Sequence, residues 1–282
     1  MVKDKLFPIP VNPYTSRLAN PDKLEPSPLK DVAVQTPVTR KPDDTTGAPK
    51  TILLDKKKAQ NLYKNTAIFF MSDNGACQEG GILGSGSEQA VRDPLQSQGT
   101  AGPRCGQAWA NASNTPFRYY KHFVHEGGMS TPKIAHWPAG IPWQRRGAWV
   151  REMGYLPDFM PTFLDMAQGE YPLQRQGETL HPHAGQSLLP LLQGEKGPVH
   201  ESPVFWEHEG NRAMRDGKWK IVWARKGPWE LYDMEMDRTE MHDLAREHPA
   251  RLRSMIELWA QWATKTGVSF PDPINNDKLS RS

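Results

Sequence analysis

Residues 68–75 read IFFMSDNG, an apolar run that passes directly into Ser-Asp-Asn-Gly. After Ala67 the run is apolar on both alternating faces, which is typical of a strand covered on both sides in a parallel sheet. Ligands of open α/β sheets bind beyond the carboxyl ends of the strands, which is where Asp73 and Asn74 lie. A carboxylate and an amide oxygen suit a hard cation such as calcium or magnesium. The alternative is a simple turn, because Asn and Gly tolerate positive φ.

The composition is that of a globular chain with balanced charge. The chain has 282 residues, of which 37% are hydrophobic and 24% are charged, and its formal net charge is +3. This balance gives no basis for a nucleic-acid or membrane-surface partner. The longest apolar runs fall far short of the ~20 residues that span a membrane. The two cysteines, Cys77 and Cys105, allow one disulfide but no disulfide framework.

The chain divides into blocks of different composition. Residues 1–58 include nine prolines in the first fifty positions, which predicts an extended, largely disordered or unrelated segment. Residues 59–200 predict an α/β block, and residues 201–268 predict a small antiparallel sheet with one helix. Residues 269–282 form a tail.

Local patterns predict the elements of the α/β block. A second short strand is expected within Thr131–Pro138, and Leu156–Ala167 has the apolar spacing of a helix that starts near Asp158. Pro161 then lies in the first turn, where proline is tolerated. The Gly-, Ser- and Asn-rich stretch Gly75–Asn114 is predicted as one long loop.

The block after residue 200 consists of short strand-like runs that alternate with turn residues. The runs are separated by Glu209–Asn211, Asp216–Gly217 and Lys226–Pro228. The Asp-Gly pair between two such runs is a strong hairpin signal. Pro249–Lys265 carries apolar residues at helical spacing, so one amphipathic helix is expected to cover the sheet. Six of the ten tryptophans lie between Trp206 and Trp262. Core packing is the preferred interpretation, and a sugar-stacking platform is the alternative.

A second candidate site is the stretch Pro116–Gly128. Lys121 would supply a cation to the site if this stretch approaches the Asp-Asn turn, and otherwise it is a solvated surface lysine. His122 and His125 are three residues apart, which on a helix could make two metal ligands. The following Gly127–Gly128 pair disfavours a sustained helix, so packed or surface histidines are the simpler interpretation.

Taken in order, five stretches resemble the C-terminal half of arylsulfatases, which are type I sulfatases of the alkaline-phosphatase-like superfamily. The stretches are SDNG (72–75), NTPFRYYKHFVHEGGMSTPKIAHWPAGI (114–141), HAGQSLLPLLQGE (183–195), AMRDGKWKIV (213–222) and WELYDMEMDRTEMHDLA (229–245). The resemblance runs from about Asn65 to about Thr266. It implies part of an α/β sandwich, followed by a small C-terminal antiparallel sheet with a covering helix. The implied activity is the hydrolysis of sulfate esters.

The resemblance also implies roles for individual residues. Asp73 and Asn74 match the family's ligands for a divalent cation, which is calcium, with magnesium as the alternative. Lys121, five residues before Glu126, matches the lysine that contacts the sulfate, so it is the expected catalytic and substrate-binding residue. The implied substrate is a sulfated small molecule or polysaccharide. Phosphoester hydrolysis within the superfamily and a non-enzymatic remnant or binding module are the alternatives.

One part of the family's machinery has no counterpart in these residues. The nucleophile of the family is a formylglycine made from a Cys-x-Pro-x-Arg motif, or from Ser in place of Cys, and this sequence contains neither form. We therefore expect the chain to be inactive alone, with the missing N-terminal half as its natural packing partner. No signal peptide is recognised, so the chain as written would be cytoplasmic, whereas the family is typically periplasmic or extracellular.

Overall fold

The structure is a computed structural model that describes residues 57–86 and 104–268. Most of the predicted Pro-rich segment and all of the predicted tail 269–282 lie outside the described residues. The described part falls into two compact units. The domain boundaries drawn from composition stay a prediction.

Short strands and helices alternate along the described chain. The elements are β1 (Ile68–Met71), α1 (Gly106–Asn114), α2 (Glu126–Met129), β2 (Lys133–His136), α3 (Phe159–Ala167), β3 (Gln174–Arg175), β4 (Glu178–Thr179), α4 (Leu189–Gln193), β5 (Val204–His208), β6 (Asn211–Asp216), β7 (Trp219–Trp223), β8 (Trp229–Asp233) and α5 (Pro249–Lys265). Among the residues searched, 57–86 and 104–268, no helix has both the length and the apolar character to cross a membrane.

The unit that contains β1 is built on an antiparallel pair of strands. β1 pairs with β2 in a register that sets Ile68 opposite His136. The ring of Phe69 meets Phe159 and Phe163 of α3 edge to face, at centroid distances of 5.4 and 5.7 Å. Phe70, on the other face of β1, is exposed. The expectation of a strand in a parallel sheet is therefore wrong for the described residues, because β1 pairs with β2 in the antiparallel direction.

The helix expected after residue 156 is present. It opens with a single 3₁₀ turn over Leu156–Asp158, and α3 follows with Pro161 buried in its first turn. The hydroxyl of Thr162 donates to the carbonyl of Asp158 (2.6 Å) and accepts the backbone N–H of Leu188 (2.8 Å). Asp158 and Thr162 are both fully buried, so these polar contacts fix the segment before α4 against α3.

The other unit contains the four-stranded antiparallel sheet, in the order β5-β6-β7-β8. The hairpin predicted at Asp216–Gly217 is confirmed by the register of β6 and β7. A second hairpin joins β5 to β6 through Glu209–Gly210, so Asn211, expected in the connection, is the first residue of β6. Helix α5 covers one face of this sheet, as predicted. The core between them is made by Met214, Ile221, Leu231, Leu252, Met255, Ile256, Trp259 and Ala263. Several tryptophans pack in or against this core, which agrees with the packing interpretation of the Trp-rich region.

The opposite face of the sheet is covered as well, which the sequence did not suggest. Ala213, Val222 and Tyr232 pack there against Val124, which lies three residues after Lys121. The stretch around Lys121 is therefore seated on the second face of the antiparallel sheet.

The predicted loop Gly75–Asn114 contains a helix. Helix α1 occupies its last nine residues, and Ala110 is completely buried. Alanine at positions 108, 110 and 112 favours helix, and this preference outweighs the Asn and Ser of the stretch. Residues 87–103 lie outside the described part. Cys77 and Cys105 are free thiols.

Candidate functional site

The Asp-Asn turn lies directly beyond β1. The hydroxyl of Ser72 donates to the carbonyl of Asn74 over 3.0 Å, which closes the turn. Asp73 is exposed and Asn74 is half-buried. Neither side chain makes a hydrogen bond or an ion pair with another described residue. Their oxygens therefore stay available to a ligand, and the turn and the cation-site interpretations do not exclude each other.

Backbone hydrogen bonds join the Asp-Asn turn to the stretch that carries Lys121. Gly75 donates its N–H to the carbonyl of Gly128 (2.8 Å), and Lys121 donates its N–H to the carbonyl of Ala76 (3.0 Å). Asn114, the last residue of α1, strengthens the joint: its Oδ1 accepts the N–H of Ala76, and its Nδ2 donates to the carbonyl of Tyr119, both over 3.0 Å. The structure thus brings together the two segments that the sequence analysis singled out.

Glycine is needed where the two segments cross. A Cβ on Gly75 would lie 1.8 Å from the carbonyl oxygen of Gly127, far inside contact distance. A Cβ on Gly127 would lie 2.1 Å from the carbonyl oxygen of Arg118. The Glu-Gly-Gly stretch therefore serves close backbone packing, and its short helix α2 does not provide a ligand-bearing face.

Glu126 is the anchor of this stretch. Its carboxylate is buried and accepts hydrogen bonds from Lys220 Nζ (2.8 Å) and Arg238 Nη2 (3.0 Å). Lys220 Nζ also lies 2.8 Å from Glu240 Oε1, and Glu240 Oε2 accepts the backbone N–H of Glu126. Two cations and two carboxylates thus form a neutral network. Burial alone would raise the pKa of Glu126, but the ammonium of Lys220 and the guanidinium of Arg238 outweigh it and lower that pKa to about 2.

His125 enters a second buried network beside the first. Its Nε2 lies 2.9 Å from Glu230 Oε2, which also accepts the hydroxyl of Tyr232 (2.7 Å). Arg118 Nη1 donates to the same hydroxyl (2.6 Å). Burial opposes ionisation of Glu230, but the hydrogen bonds from His125 and Tyr232 and the charge of Arg118 lower its pKa. Because an ionised Glu230 only accepts, Nε2 of His125 carries the donated hydrogen.

Lys121 differs sharply from Lys220. The Lys220 ammonium is fully buried and paired with two carboxylates. Lys121 is half-buried, and its ammonium makes no hydrogen bond or ion pair with another described residue. Because the backbone of Lys121 is held in place and its ammonium pairs with no other described residue, the ammonium can bind an anion.

The oxygens of Asp73 and Asn74 fit a hard cation in kind but not in number. Calcium takes six to eight oxygen ligands, and magnesium takes six. Within residues 57–86 and 104–268, no cluster of three His, Cys, Asp or Glu ligand atoms includes Asp73. A cation at this turn would therefore need most of its ligands from water, substrate or other protein groups.

His122 and His125 do not converge on one ligand. His125 Nε2 is bonded to Glu230, whereas His122 Nδ1 lies 2.7 Å from Glu209 Oε2. The interpretation of this pair as two ligands of one metal is therefore wrong, because the chain between them is not a continuous helix.

The supporting residues Lys220, Arg238 and Glu240 were missed by the sequence analysis. One signal did exist for Lys220. On a strand, Lys220 and Val222 point to the same face, so a two-sided core would bury the lysine and demand carboxylate partners. The alternation predicts a buried Lys220 only if the second face of the sheet is covered, and the structure shows that Val124 packs against that face.

Comparisons with known proteins agree with this architecture. The family model described as N-sulphoglucosamine sulphohydrolase, C-terminal, matches residues 117–261, slightly more than half of the chain. A sulfatase of Schizosaccharomyces pombe is 32% identical over 78% of this chain and 42% of its own length. The N-acetylgalactosamine-6-sulfatase of Sus scrofa is 31% identical over 70% of this chain and 30% of its own length. The chain thus spans less than half the length of these relatives.

A solved structure shows the same fold. The crystal structure of Ps i-CgsB is 25% identical, with a TM-score of 0.55 over 75% of this chain and 39% of that one. The same protein has also been solved in complex with k-i-k-neocarrahexaose. These similarities confirm the α/β class and the resemblance on which the sequence analysis relied.

Proposed function

Because the chain belongs to the N-sulphoglucosamine sulphohydrolase C-terminal family, and so is the C-terminal part of a sulfatase of the alkaline-phosphatase-like superfamily, we propose that it contributes to hydrolysis of sulfate esters. One observation carries the proposal. The backbone of Lys121 is bonded to Ala76 and that of Gly75 to Gly128, so one fixed structure carries the Lys121 ammonium and the Asp73 and Asn74 side-chain oxygens, none of which pairs with another described residue.

Each of these residues has a distinct task in the proposal. The ammonium of Lys121 binds a sulfate oxygen and offsets the negative charge that grows on the ester as the S–O bond breaks. Asp73 and Asn74 hold a divalent cation, which is calcium, with magnesium as the alternative. When bound, the cation would act as a Lewis acid toward the sulfate oxygens.

We propose a sulfated carbohydrate as the substrate class, with a small sulfate ester as the assay substitute. The name of the pig relative refers to a 6-sulfated N-acetylgalactosamine, and Ps i-CgsB was solved with a carrahexaose. These sugars belong to those two proteins, and they support a sulfated carbohydrate as the class without selecting one sugar.

The sequence contains no Cys-x-Pro-x-Arg motif and no Ser equivalent. We therefore propose that this chain alone binds sulfate esters and a cation without turning the ester over. Its residues hold the anion and the cation, and the nucleophile has to be supplied by groups other than those present here.

Ligand binding to the full chain tests the proposal. We expect an aryl sulfate to bind in the presence of calcium, and Lys121→Met to weaken that binding at least tenfold. Lys226→Met, which removes an exposed lysine from the β7–β8 turn, is the matched control and should change nothing. Equal affinity of the Lys121 and Lys226 variants would overturn the role of Lys121, and turnover of the ester would overturn the proposed inactivity.

The same assay separates the competing functions. An aryl phosphate that binds tenfold more tightly than the aryl sulfate would favour the phosphoester alternative. A folded chain that binds neither anion, with or without calcium, would favour the non-enzymatic alternative.

A further inference from the structure

A separate cluster of ligand atoms lies at the turn between β5 and β6. We propose that His122, His208 and Glu209 bind a divalent transition metal such as zinc. Of the residues described, these three form the only group of His, Cys, Asp or Glu whose ligand atoms all lie within 4.8 Å of one another. The cluster shares no residue with Asp73, Asn74 or Lys121, although His122 directly follows Lys121, and metal binding here neither depends on the proposed sulfatase function nor restates it.

The distances are close to those of a metal site. His122 Nδ1 lies 2.7 Å from Glu209 Oε2, and His208 Nε2 lies 3.9 Å from Glu209 Oε1. Ligands about 2.0–2.2 Å from a tetrahedral zinc are about 3.3–3.5 Å from each other. The His122–Glu209 gap must therefore open by about 0.6–0.8 Å, and the His208–Glu209 gap must close by about 0.4–0.6 Å. The exposed side chains of His208 and Glu209 can make such movements by small rotations.

The fold brings the three residues together from distant parts of the chain. His208 is the last residue of β5, and Glu209 with Gly210 makes the tight turn into β6. Glu209 has φ +53° and Gly210 has φ +87°, the left-handed conformations that a two-residue hairpin turn requires. This turn fixes where the Glu209 side chain starts.

A buried asparagine positions His122 beside the hairpin. Asn211 Nδ2 donates to the carbonyl of His122 (2.8 Å), and Asn211 Oδ1 accepts the N–H of Arg225 (2.9 Å). Asn211 is buried, so it ties the backbone of His122 to β6 and to the chain after β7. His122 itself has φ +86°, an uncommon conformation for a non-glycine residue. The ligand set is thus held by a supporting residue, as a preorganised site requires.

The ligand types select the class of metal. Two imidazoles and one carboxylate suit zinc, copper, nickel or cobalt, whereas calcium and magnesium prefer oxygen alone. Three protein ligands around a tetrahedral metal leave a fourth position for water or another small ligand. His208 and Glu209 are each 55% exposed in their side chains, so a metal can reach the cluster from solvent.

Cobalt titration of the full chain tests the proposal. Co²⁺ in a tetrahedral site absorbs strongly in the visible range, and zinc should abolish this absorption by displacing it. We expect one strong site per chain. His208→Ala and Glu209→Gln should each weaken binding at least tenfold, and His122→Asn should do the same while tolerating the positive φ at that position.

His242→Ala is the matched control. His242 is 76% exposed, and its Nδ1 lies 3.5 Å from Asp237 Oδ2, so it is a histidine–carboxylate pair outside the three-ligand cluster. Its loss should change affinity less than twofold. The proposal is overturned if the parent chain binds no more tightly than His208→Ala, or if His242→Ala weakens binding as much. Near-UV circular dichroism of each variant shows whether it keeps the parent fold, and His208→Ala, at an exposed strand end, decides the matter if His122→Asn does not.

Discussion

The ammonium of Lys220 lies 2.8 Å from the carboxylate of Glu126, although 94 residues separate them along the chain. This contact ties the centre of the antiparallel sheet to the stretch that presents Lys121. Burying the two charges is costly, and only their pairing, together with Arg238 and Glu240, offsets the cost. The position of the proposed sulfate-binding lysine therefore depends on residues that never touch the sulfate.

Replacing Lys220 by Met should destabilise the chain strongly. Two buried carboxylates would lose their shared cation, which costs about 3–5 kcal/mol. Lys218→Met is the control, because Lys218 is 43% exposed and its ion pair with Asp233 contributes about 0–1 kcal/mol. Urea unfolding followed by tryptophan fluorescence measures both. Equal shifts of the two midpoints would show that the buried network does not stabilise the fold.

Stability should fall in acid because of Glu126. Its pKa is lowered from 4.5 to about 2 in the folded chain, so the stabilisation is complete above pH 4.5 and is lost as pH falls toward 2. The loss attributable to this group is up to about 3 kcal/mol. Glu126→Gln should be less stable at pH 7 and should show a flatter decline between pH 5 and pH 2.5. Glu178→Gln, at an exposed position, should follow the parent curve.

Lys220 should make the stability of the chain fall at alkaline pH. Its pKa is raised above 10.5, since the carboxylates of Glu126 and Glu240 outweigh the effect of burial. Its contribution is therefore complete below pH 10.5 and is lost as pH rises through the folded pKa. Alkaline unfolding of Lys220→Met should lack this step. A parent chain that loses no stability above pH 10.5 would contradict the assignment.

Gly75→Ala should weaken the backbone hydrogen bonds that join the Asp-Asn turn to the Lys121 stretch, which are Gly75 N–H to Gly128 and Lys121 N–H to Ala76. The new Cβ would lie 1.8 Å from the carbonyl oxygen of Gly127, and relieving this clash should cost about 1–3 kcal/mol. Hydrogen exchange of the Gly75 and Lys121 amides should accelerate, because both amides donate across the joint. Gly169→Ala is the control, since its Cβ would make only ordinary contacts, the nearest at 3.5 Å. Unchanged exchange in Gly75→Ala would argue against the joint.

Asp158→Asn should destabilise the unit that contains α3. Asp158 Oδ2 accepts the N–H of Tyr155 (2.6 Å) and lies 3.0 Å from His200 Nε2, and Oδ1 accepts the N–H of Gln186 (2.9 Å). An amide can accept on one side only, so at least one buried donor would lose its partner, at about 1–3 kcal/mol. Asp165→Asn, on the exposed side of α3, should shift the thermal midpoint little.

Local signals predicted the elements that local forces decide. Asp216–Gly217 fixed a hairpin, Pro249–Lys265 showed the spacing of a covering helix, and Pro161 marked the first turn of α3. Helix α1 was not predicted, because its Asn- and Ser-rich sequence resembles a loop although its three alanines favour a helix.

The candidate site was predicted only in part. Asp73, Asn74 and Lys121 were singled out by their places in the sequence and given roles by the family resemblance, and those roles stay predictions. The structure adds that the backbones of the two segments are joined. The Glu126–Lys220 pair and the cluster of His122 with His208 and Glu209 depend on contacts between segments about 90 residues apart. The alternation of Lys220 with Val222 hints that the lysine is buried, but no local pattern identifies the distant residue with which each of these groups pairs.

The long separation between Glu126 and Lys220 also has a consequence for how the protein is made. On the ribosome, Glu126 emerges 94 residues before its partner, a delay of about 5–20 s at ordinary rates of synthesis. During that time its carboxylate is hydrated, and the stretch around Lys121 cannot yet pack against the complete antiparallel sheet. The proposed sulfate-binding lysine thus reaches its final position only after the last quarter of the chain has begun to be translated.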